Sequence, residues 1–511
     1  MRQFLFGSAL LVSSACGLIL EIAAGRLLAP YVGMSLYTWT AIIAVVLAGL
    51  SVGHWIGGVL AAPHVDTKRG TQRVAWALGA AAVSSAASLV LLRVVAGILV
   101  TSGLGPIIVI VVLTTALFFL PSLFVGIVSP ILTKLAVDDD RHGHPGRVIG
   151  RMYALGTLGA IAGTLIAGYV FISWIGSIGT VLMVTAIYAV LALFFALADR
   201  MRLAALGSIT LALAGLGLAG QQVQAFTSPC TIESDYFCIR VDNAPGFAPT
   251  ARLMALDHLV HSINDRDQPD LLYSPYIHFV DEYAKHRLGD EAPHAYFIGG
   301  GGFTLPRAWA HVFGAQARLV VAEIDPAVTR AAEQHLWLDA DAPGLEIVHQ
   351  DGRMHLQSLP PEPTFDVIFG DAFHDISIPQ HLVSQEFHAE IARRLKPGGF
   401  YALNVVDSGR APDFLFALVK TLGEDFPTVE VWMEREEIGQ YGRVTFVVTA
   451  SSSPSLGTPV LSSQGGLVRS WIRWPESDLN RRVAAANVPV LTDDFAPVDR
   501  LMSGLLLSPE H

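Results

Sequence analysis

Glycines and acidic residues in the second half of the chain recur at the ends of apolar runs. Four glycines follow the run 294–298, and Glu323, Asp351 and Asp371 lie at the ends of the next three runs. Glycines without side chains let a backbone approach a ligand closely, and a carboxylate about 20 residues further on is typical of a group that binds a ribose diol. A carboxylate after the third run can accept a hydrogen bond from an adenine amino group.

The ordered set predicts a pocket for an adenosine that carries a sulfonium, since the sequence has no phosphate-binding lysine motif that would indicate ATP. Its members are Gly299, Gly300, Gly301, Glu323, Asp351 and Gly352.

Each member also has a purely structural interpretation. The glycines alone are typical of a tight turn, and Glu323 alone is typical of a solvated strand end. Asp351 with Gly352 is typical of a turn, and Asp371 is typical of an aspartate that caps a loop. The combination is more specific than any of its parts, because all of them must occur in one order.

Helical stretches separate these apolar runs. Strands that alternate with helices predict a parallel, doubly wound sheet. In such sheets the ligand lies beyond the carboxyl ends of the strands. The glycines and the three carboxylates all fall at those ends, so we expect them to lie at one edge of the sheet.

The first 225 or so residues have a different character, with no stretch that is typical of a soluble protein. Seven apolar segments are near the roughly 20 residues that a membrane-spanning helix needs. They are 4–29, 37–60, 74–92, 106–128, 152–174, 178–198 and 203–219. A cleavable signal peptide is a poor interpretation of the first segment, which contains Glu21 and Arg26 and is followed by further spans.

Charged side chains are costly inside a membrane, so Glu21, Arg26 and His54 are candidates either for structural pairing or for a role in substrate or proton movement. Basic residues collect in the second, fourth and sixth loops; they are Lys68, Arg69, Arg73, Arg141, Arg147, Arg151, Arg200 and Arg202. The positive-inside rule makes these loops cytoplasmic. With seven spans in a cell (inner) membrane, the soluble domain then lies on the non-cytoplasmic side, and an eighth span would reverse this.

The chain has three cysteines, of which Cys230 and Cys238 flank the start of the soluble part. Eight residues of extended strand would hold them too far apart to bond, so a disulfide requires a turn between them. Two separate buried cysteines are the alternative. The net charge of −11 argues against a nucleic-acid partner, because such binding needs basic surface.

The segment 232–447 resembles the spermidine synthase family of aminopropyltransferases, especially its membrane-fused branch. The motifs that carry the resemblance are Ile298-Gly299-Gly300-Gly301, Val321-Ala322-Glu323-Ile324-Asp325, Gln350-Asp351-Gly352 and Phe365-Asp366-Val367-Ile368-Phe369-Gly370-Asp371. Leu256-Asp257-His258 and Tyr273 resemble the family's small N-terminal β-domain and its site tyrosine. Residues 491–497 resemble a C-terminal signature of the fused branch.

The resemblance implies a multi-pass α-helical membrane domain (1–225), a small β-subdomain (226–290) and a Rossmann-like, methyltransferase-type catalytic domain (291–511). It implies transfer of an aminopropyl group from decarboxylated S-adenosylmethionine to putrescine or a related polyamine, with Asp371 as the base and Tyr273 as its helper. The expected partners are the polyamine, the adenosyl donor and the lipid bilayer. No metal or permanently bound cofactor is expected, and a homodimer is an open option.

The chain also departs from the family pattern. Gly302 occupies the place of an aspartate that holds the donor's amine, and His374 replaces the second aspartate of the catalytic loop, with Asp375 one position later. His261 replaces a glutamine, and Pro275 replaces a glutamate. These changes leave the adenosyl pocket but alter the acidic polyamine groove. Asp375, or Asp493 and Asp494 near the C-terminus, could restore negative charge, so the candidate substrate-binding residues are His261, His374, Asp375 and Asp494.

Two other functions remain open at this stage. A methyltransferase that uses S-adenosylmethionine is favoured by the loss of an aspartate at Gly302, since that residue recognises the donor's tail. A polyamine transporter or sensor, with the soluble half as a nucleoside-binding regulatory module, would give the charged membrane residues the main role.

Overall fold

The structure is a computed structural model that describes residues 2–62, 66–140, 143–198, 203–373 and 377–507, with the backbone alone at 203–206 and 506–507. The chain divides into two compact units, Met1–Pro229 and Cys230–His511.

The described part of the first unit consists of long apolar helices. They are α1 (Arg2–Val32), α2 (Leu36–Leu60), α3 (Thr67–Val100), α4 (Pro106–Asp138), α5 (Pro145–Ile166), α6 (Ile172–Ala198) and α7 (Leu203–Gln222). A π-helical turn, Ala167–Phe171, joins α5 to α6. Close approach of these helices depends on glycine: a Cβ at Gly49 of α2 would lie 2.7 Å from the carbonyl oxygen of Phe119 on α4, as expected for small residues between membrane helices.

By length and composition, five helical stretches among the described residues are able to cross a membrane. They contain the first six of the seven predicted spans. The fifth stretch, Pro145–Ala198, is 54 residues long and includes both the fifth and the sixth span. Its backbone leaves helical geometry at Gly176, where φ is 69°, which lies between the two predicted spans. The seventh span forms helix α7, which is not among the five stretches.

The second unit begins with a four-stranded antiparallel sheet in the order β1-β2-β3-β4. Its strands are β1 (Ile232–Glu233), β2 (Cys238–Asn243), β3 (Ala251–Leu256) and β4 (Leu259–Asp265). The chain turns between β1 and β2, where the Ser234 amide donates to the Phe237 carbonyl. This turn brings the Cα atoms of Cys230 and Cys238 to 5.2 Å, and the two residues form a disulfide.

The larger sheet has nine strands among the described residues. They are β5 (His294–Ile298), β6 (Arg318–Ala322), β7 (Leu345–Val348), β8 (Phe365–Gly370), β9 (Leu395–Ser408), β10 (Thr428–Glu434), β11 (Arg443–Ser451), β12 (Val460–Ser462) and β13 (Ser470–Arg473). The helices are α8 (Pro275–Leu288), α9 (Thr304–Phe313), α10 (Pro326–His335), α11 (Gly352–Ser358), α12 (Gln385–Arg394), α13 (Asp413–Leu422), α14 (Glu476–Ala485), α15 (Val498–Leu501) and α16 (Ser503–Leu507).

The strand order β12-β13-β10-β11-β9-β8-β5-β6-β7 confirms the predicted Rossmann-like fold. Strands β5 to β9 pair in parallel, whereas β11, β10, β13 and β12 extend the sheet with antiparallel pairing. Alternate residues of β5 enter different cores: Tyr296 and Ile298 belong to one, and Ala295 and Phe297 to the other. Both faces of the central strand are therefore covered, as parallel strands require.

The chain changes direction in the sheet around β5. It continues from β5 to β6 and β7 on one side, and then returns to β8 and β9 on the other. The carboxyl ends of β5 and β8 consequently lie side by side at a topological switch point, which is where open α/β sheets bind ligands. The segments that leave these two ends are the glycine loop and Asp371.

Candidate functional site

The glycine loop is held by backbone geometry that other residues adopt with difficulty. Gly299 and Gly301 have φ values of 95° and 49°, in the region that favours glycine. A Cβ at Gly299 would lie 2.7 Å from the carbonyl oxygen of Asp371. The glycine therefore allows the loop after β5 to lie directly against the end of β8.

Glu323, at the end of β6, anchors this loop. Its Oε2 accepts hydrogen bonds from the amides of Gly300 at 2.8 Å and Gly301 at 3.2 Å, and its Oε1 accepts from the Asp325 amide at 2.9 Å. Burial raises the pKa of Glu323, while these hydrogen bonds oppose the rise. The residue predicted to bind a ribose therefore fixes the shape of the glycine loop in the structure.

Asp371 lies at the end of β8 and is half-buried. The Nδ2 of Asn404 on β9 donates to Asp371 Oδ1 at 2.9 Å, and the Tyr276 hydroxyl donates to Oδ2 at 3.2 Å. Burial raises the pKa of Asp371 to about 7, although both hydrogen bonds act in the opposite direction. A carboxyl group with such a pKa can accept a proton near neutral pH.

The structure does not bring Tyr273 to Asp371, although the resemblance assigns it there. The Tyr273 hydroxyl donates to Asp265 Oδ2 at 3.3 Å, and its ring packs against Phe247. The tyrosine beside Asp371 is Tyr276, three residues later in the first turn of α8. The correction follows from the start of the helix, since Tyr273 precedes α8 whereas Tyr276 lies on it.

His261 on β4 lines the same pocket as the glycine loop and Asp371. The Tyr276 hydroxyl lies 3.3 Å from the His261 carbonyl oxygen, so its proton can be directed to that oxygen or to Asp371. Burial, and then the positive charge of Arg443, lower the pKa of His261 to about 4. The imidazole is therefore neutral at physiological pH.

The complete lining of this pocket is His261, Ser262, Ile277, Phe297, Gly299, Gly300, Gly301, Gly302, Thr304, Leu305, Pro306, Phe369 and Asp371. The lining residues therefore come both from β4 of the small sheet and from the segments at the topological switch point of the large sheet.

Asp351 lies after β7 and caps α11 by accepting from the Met354 amide at 3.0 Å. Its Oδ2 also lies 2.8 Å from His381 Nε2. Burial would raise its pKa, but the hydrogen bonds from His381 and Met354 lower it overall. The adjacent Gly352 packs against β5, where an added Cβ would meet Ile298 at 2.7 Å.

The two aspartates near the C-terminus, Asp493 and Asp494, have different surroundings. Arg353 binds Asp493 through two hydrogen bonds of 2.6 and 2.7 Å, which lower the pKa of Asp493 to about 2. Its charge is consequently balanced by Arg353. Asp494 is exposed beside it, and it is not among the residues that line the pocket of Asp371. The remaining predicted residues, His374 and Asp375, lie outside the described residues.

A second cavity lies beside Tyr276, whose hydroxyl donates to Asp371. It is lined by Pro275, Tyr276, Met433, Glu434, Glu437, Thr445, Val447 and Trp471. Burial raises the pKa of Glu437 to about 7, opposed by the Thr445 amide and aided by Glu434. The Oε1 atom of Glu434 lies 3.4 Å from Arg469 Nε. The two glutamates were not predicted from the sequence, because they lie at and after the end of β10, outside the alternation of strands and helices that marked the other carboxylates.

Asp371 presents a carboxyl group of near-neutral pKa to the pocket that the glycine loop lines. Among the described residues, no group of three or more His, Cys, Asp or Glu side chains is placed to hold a metal ion.

No protein-family profile matches the sequence. The chain is 26% identical over 231 residues to a probable polyamine aminopropyl transferase of Bifidobacterium longum, covering 42% of this chain and 50% of that protein. It is 27% identical over 216 residues to polyamine aminopropyltransferase 2 of Pseudomonas aeruginosa, covering 40% and 55%. The chain thus spans about half the length of the curated relatives it matches.

Among solved structures, a probable spermidine synthase from Corynebacterium glutamicum matches with a TM-score of 0.45 and 21% identity, covering 53% of this chain and 99% of that one. The spermidine synthase of Thermotoga maritima matches with a TM-score of 0.35 and 20% identity, covering 44% and 74%. The sequence relatives confirm the resemblance: over part of its length, this chain is similar to polyamine aminopropyltransferases.

Proposed function

We propose that the chain is a membrane-integrated polyamine aminopropyltransferase, which transfers an aminopropyl group from decarboxylated S-adenosylmethionine to putrescine or a related polyamine. The observation that carries the proposal is the position of Asp371, a carboxyl group with a pKa of about 7 that lines one pocket with the glycine loop. The partial relatives named above support the same class of reaction.

The proposed reaction begins with an amine that is protonated at neutral pH. Asp371 attracts this ammonium and accepts one of its protons. The freed nitrogen lone pair attacks the carbon next to the donor's sulfonium, forming a C–N bond while the C–S bond breaks. The bonding electrons return to sulfur, methylthioadenosine leaves, and the proton remains on Asp371 until solvent removes it.

Tyr276 and Asn404 position the base in this scheme. Each donates to a different oxygen of Asp371, so the carboxylate is held in one orientation. The Oδ1 of Asn404 is buried and has no hydrogen-bond partner among the described residues. It is an acceptor that an ammonium could use. Burial and the negative charge of Asp371 keep the pKa of Tyr276 well above its usual value, so the hydroxyl stays a donor.

The acceptor's other ammonium is proposed to lie in the second cavity. Tyr276 lines the second cavity together with Glu437 and donates to Asp371, so an extended diamine could place one nitrogen at Asp371 and the other near Glu437. Carboxylates beside the aromatic rings of Tyr276 and Trp471 are chemically matched to an alkylammonium. In this proposal, the negative charge that the polyamine groove loses through the changes at His374 and Pro275 is supplied instead by Glu434 and Glu437, at and after the end of β10.

The proposed location combines the membrane helices with the charge of the loops. Within the part of the chain that the structure describes, five helical stretches have the length and composition to cross a membrane, which supports a multi-pass protein whose partner is the lipid bilayer. The basic loops favour a soluble domain on the non-cytoplasmic side.

The test is product identification with the full-length protein purified in detergent. The protein is incubated with decarboxylated or intact S-adenosylmethionine and a panel of amines, and the products are identified by mass spectrometry. Methylthioadenosine together with an aminopropylated amine is expected, and Asp371→Asn should remove most of it. S-Adenosylhomocysteine and a methylated product would instead establish a methyltransferase, and absence of both products would leave the proposal without support.

A further inference from the structure

Ser262 carries an unsatisfied hydroxyl group in the candidate site. The residue lies on β4 and is 1% exposed. Its Oγ has no hydrogen-bond partner among the described residues, although it lines the pocket formed by the glycine loop and Asp371. Leaving a buried hydroxyl without a partner is unfavourable, so such a group at a pocket wall indicates a contact with a ligand.

The hydroxyl occupies the space next to Gly302. A Cβ added at Gly302 would overlap Ser262 Oγ and would lie 2.5 Å from Ser262 Cβ. The loop cannot move away freely, because Asn264 Nδ2 donates to the Gly302 carbonyl at 2.7 Å and Thr304 donates to Asn264 Oδ1 at 2.7 Å. Position 302 therefore has no room for any side chain while Ser262 is present.

We infer that Ser262 hydrogen-bonds the alkylamine tail of the adenosyl donor and is a specificity-determining residue of this site. The inference rests on the proposed function, which places the adenosyl donor against the glycine loop. The tail leaves the sulfonium toward Asp371, since the carbon that reacts must face the base. Ser262 lines the pocket together with the loop and this base.

A hydroxyl recognises the tail differently from a carboxylate. It accepts a hydrogen bond from an ammonium and donates one to a carboxylate, without adding charge. A carboxylate in this place would favour the decarboxylated donor, whose tail is cationic, and repel the carboxylate of intact S-adenosylmethionine. With Ser262 and Gly302, the preference between the two donors rests on a neutral contact and is therefore small.

The experiment compares adenosyl ligands with and without the tail. Calorimetry on the detergent-purified full chain measures methylthioadenosine, which lacks both the alkylamine tail and the sulfonium charge, beside decarboxylated and intact S-adenosylmethionine. Ser262→Ala should weaken the decarboxylated donor by about three- to tenfold, as expected for loss of one hydrogen bond, and leave methylthioadenosine within about twofold. Equal changes for the two ligands, or no change for either, would overturn the assignment of Ser262 to the tail.

A pair of exchange variants tests the shared space. Gly302→Asp alone should lower the thermal unfolding temperature, because the new side chain overlaps Ser262, whereas Ser262→Gly combined with Gly302→Asp should restore it. The double variant should also prefer the decarboxylated donor over S-adenosylmethionine more strongly than the parent does. An unchanged preference in a folded double variant would contradict the inference. Failure of the parent to bind methylthioadenosine would refute the proposed donor, a result distinct from either outcome for Ser262.

Discussion

Asp371 owes its suitability for the proposed role of base to its burial. The surroundings raise its pKa to about 7 even though Tyr276 and Asn404 both stabilise the charged form. The protonated form predominates below that pH, and a protonated carboxyl cannot accept the ammonium proton. We expect kcat/KM for the amine to fall as the pH drops below about 7. Initial-rate measurements between pH 5 and pH 9, with saturating donor, test this expectation. A value of kcat/KM that does not change with pH across that range would exclude Asp371 as the base.

The same pKa affects stability, with a sign that can be worked out. Between the ordinary pKa of 3.8 and about 7, the folded state binds more protons at Asp371 than the unfolded state, so this group's contribution to stability decreases as the pH rises through that window. Asp371→Asn removes the titration. The variant should therefore gain stability relative to the parent between pH 4 and pH 7, measured by chemical unfolding at several pH values. A pH-independent difference between the two proteins would contradict the raised pKa.

Tyr276 and Tyr273 form a matched pair of variants. Tyr276→Phe removes the donor to Asp371 Oδ2, whereas Tyr273→Phe removes a donor to Asp265. We expect Tyr276→Phe to raise the pKa of Asp371, which shifts the acidic limb of the rate profile to higher pH and lowers kcat near neutrality. Tyr273→Phe should leave the profile in place. The reverse result would return the role to Tyr273.

The sequence located the carboxylates and missed their neighbours for a physical reason. Glu323, Asp351 and Asp371 occur at strand ends, which local apolar patterns mark. Tyr276, Asn404 and Ser262 reach the site through contacts between residues far apart in the chain, such as the 95-residue separation of Tyr276 and Asp371. No local pattern encodes a contact across that separation. The residue at which α8 begins determines whether Tyr273 or Tyr276 lies beside Asp371.

At the scale of elements, the predicted alternation corresponds to β5 to β9, whose parallel pairing was foreseeable. The antiparallel strands beyond β9 in the sheet were not, because their apolar character resembles that of any buried strand. This antiparallel half contributes Glu434 on β10 and Trp471 on β13 to the second cavity. The part of the sheet that the sequence left undefined thus contains the proposed acceptor subsite.

Glu323 couples two elements, the end of β6 and the glycine loop. Glu323→Ala would leave the amides of Gly300, Gly301 and Asp325 without their acceptor. It would also remove the carboxylate that is predicted to bind the ribose of the donor. We expect affinity for methylthioadenosine to fall by about ten- to a hundredfold, or roughly 1.4 kcal/mol per tenfold, measured by calorimetry. Glu333→Ala on the exposed face of α10 is the control. Unchanged affinity in Glu323→Ala would remove the glycine loop from the donor site.

The acceptor subsite can be tested with adjacent glutamates. Glu437 lines the second cavity, whereas its neighbour Glu436 is exposed and does not. Glu437→Gln should raise KM for a diamine by about tenfold or more, since hydrogen bonds to charged groups contribute more than neutral ones. It should not raise KM for a monoamine of equal length, and Glu436→Gln should change neither value. Equal effects on the diamine and the monoamine would place Glu437 outside the acceptor's distal subsite.

At the scale of the whole molecule, a donor made in the cytosol and a soluble unit on the opposite side of a membrane are in conflict. The conflict disappears if the chain has one more or one fewer span than predicted, or if substrates reach the unit across the membrane. The break at Gly176 within the stretch Pro145–Ala198 is central to the count, because it separates the fifth span from the sixth.

The loop charges nevertheless favour the non-cytoplasmic side, since they act directly on helix insertion, and the Cys230–Cys238 disulfide is typical of an oxidising compartment. Alkaline phosphatase is active only when exported, so a C-terminal fusion of the full chain in a bacterial host should be active. A fusion in the basic loop after α4, near Gly143, should be inactive and serves as the internal control. Fluorescent protein fused at the same two positions should give the opposite pattern. An inactive C-terminal phosphatase with a bright C-terminal fluorescent protein would place the catalytic unit in the cytoplasm and require an even number of spans.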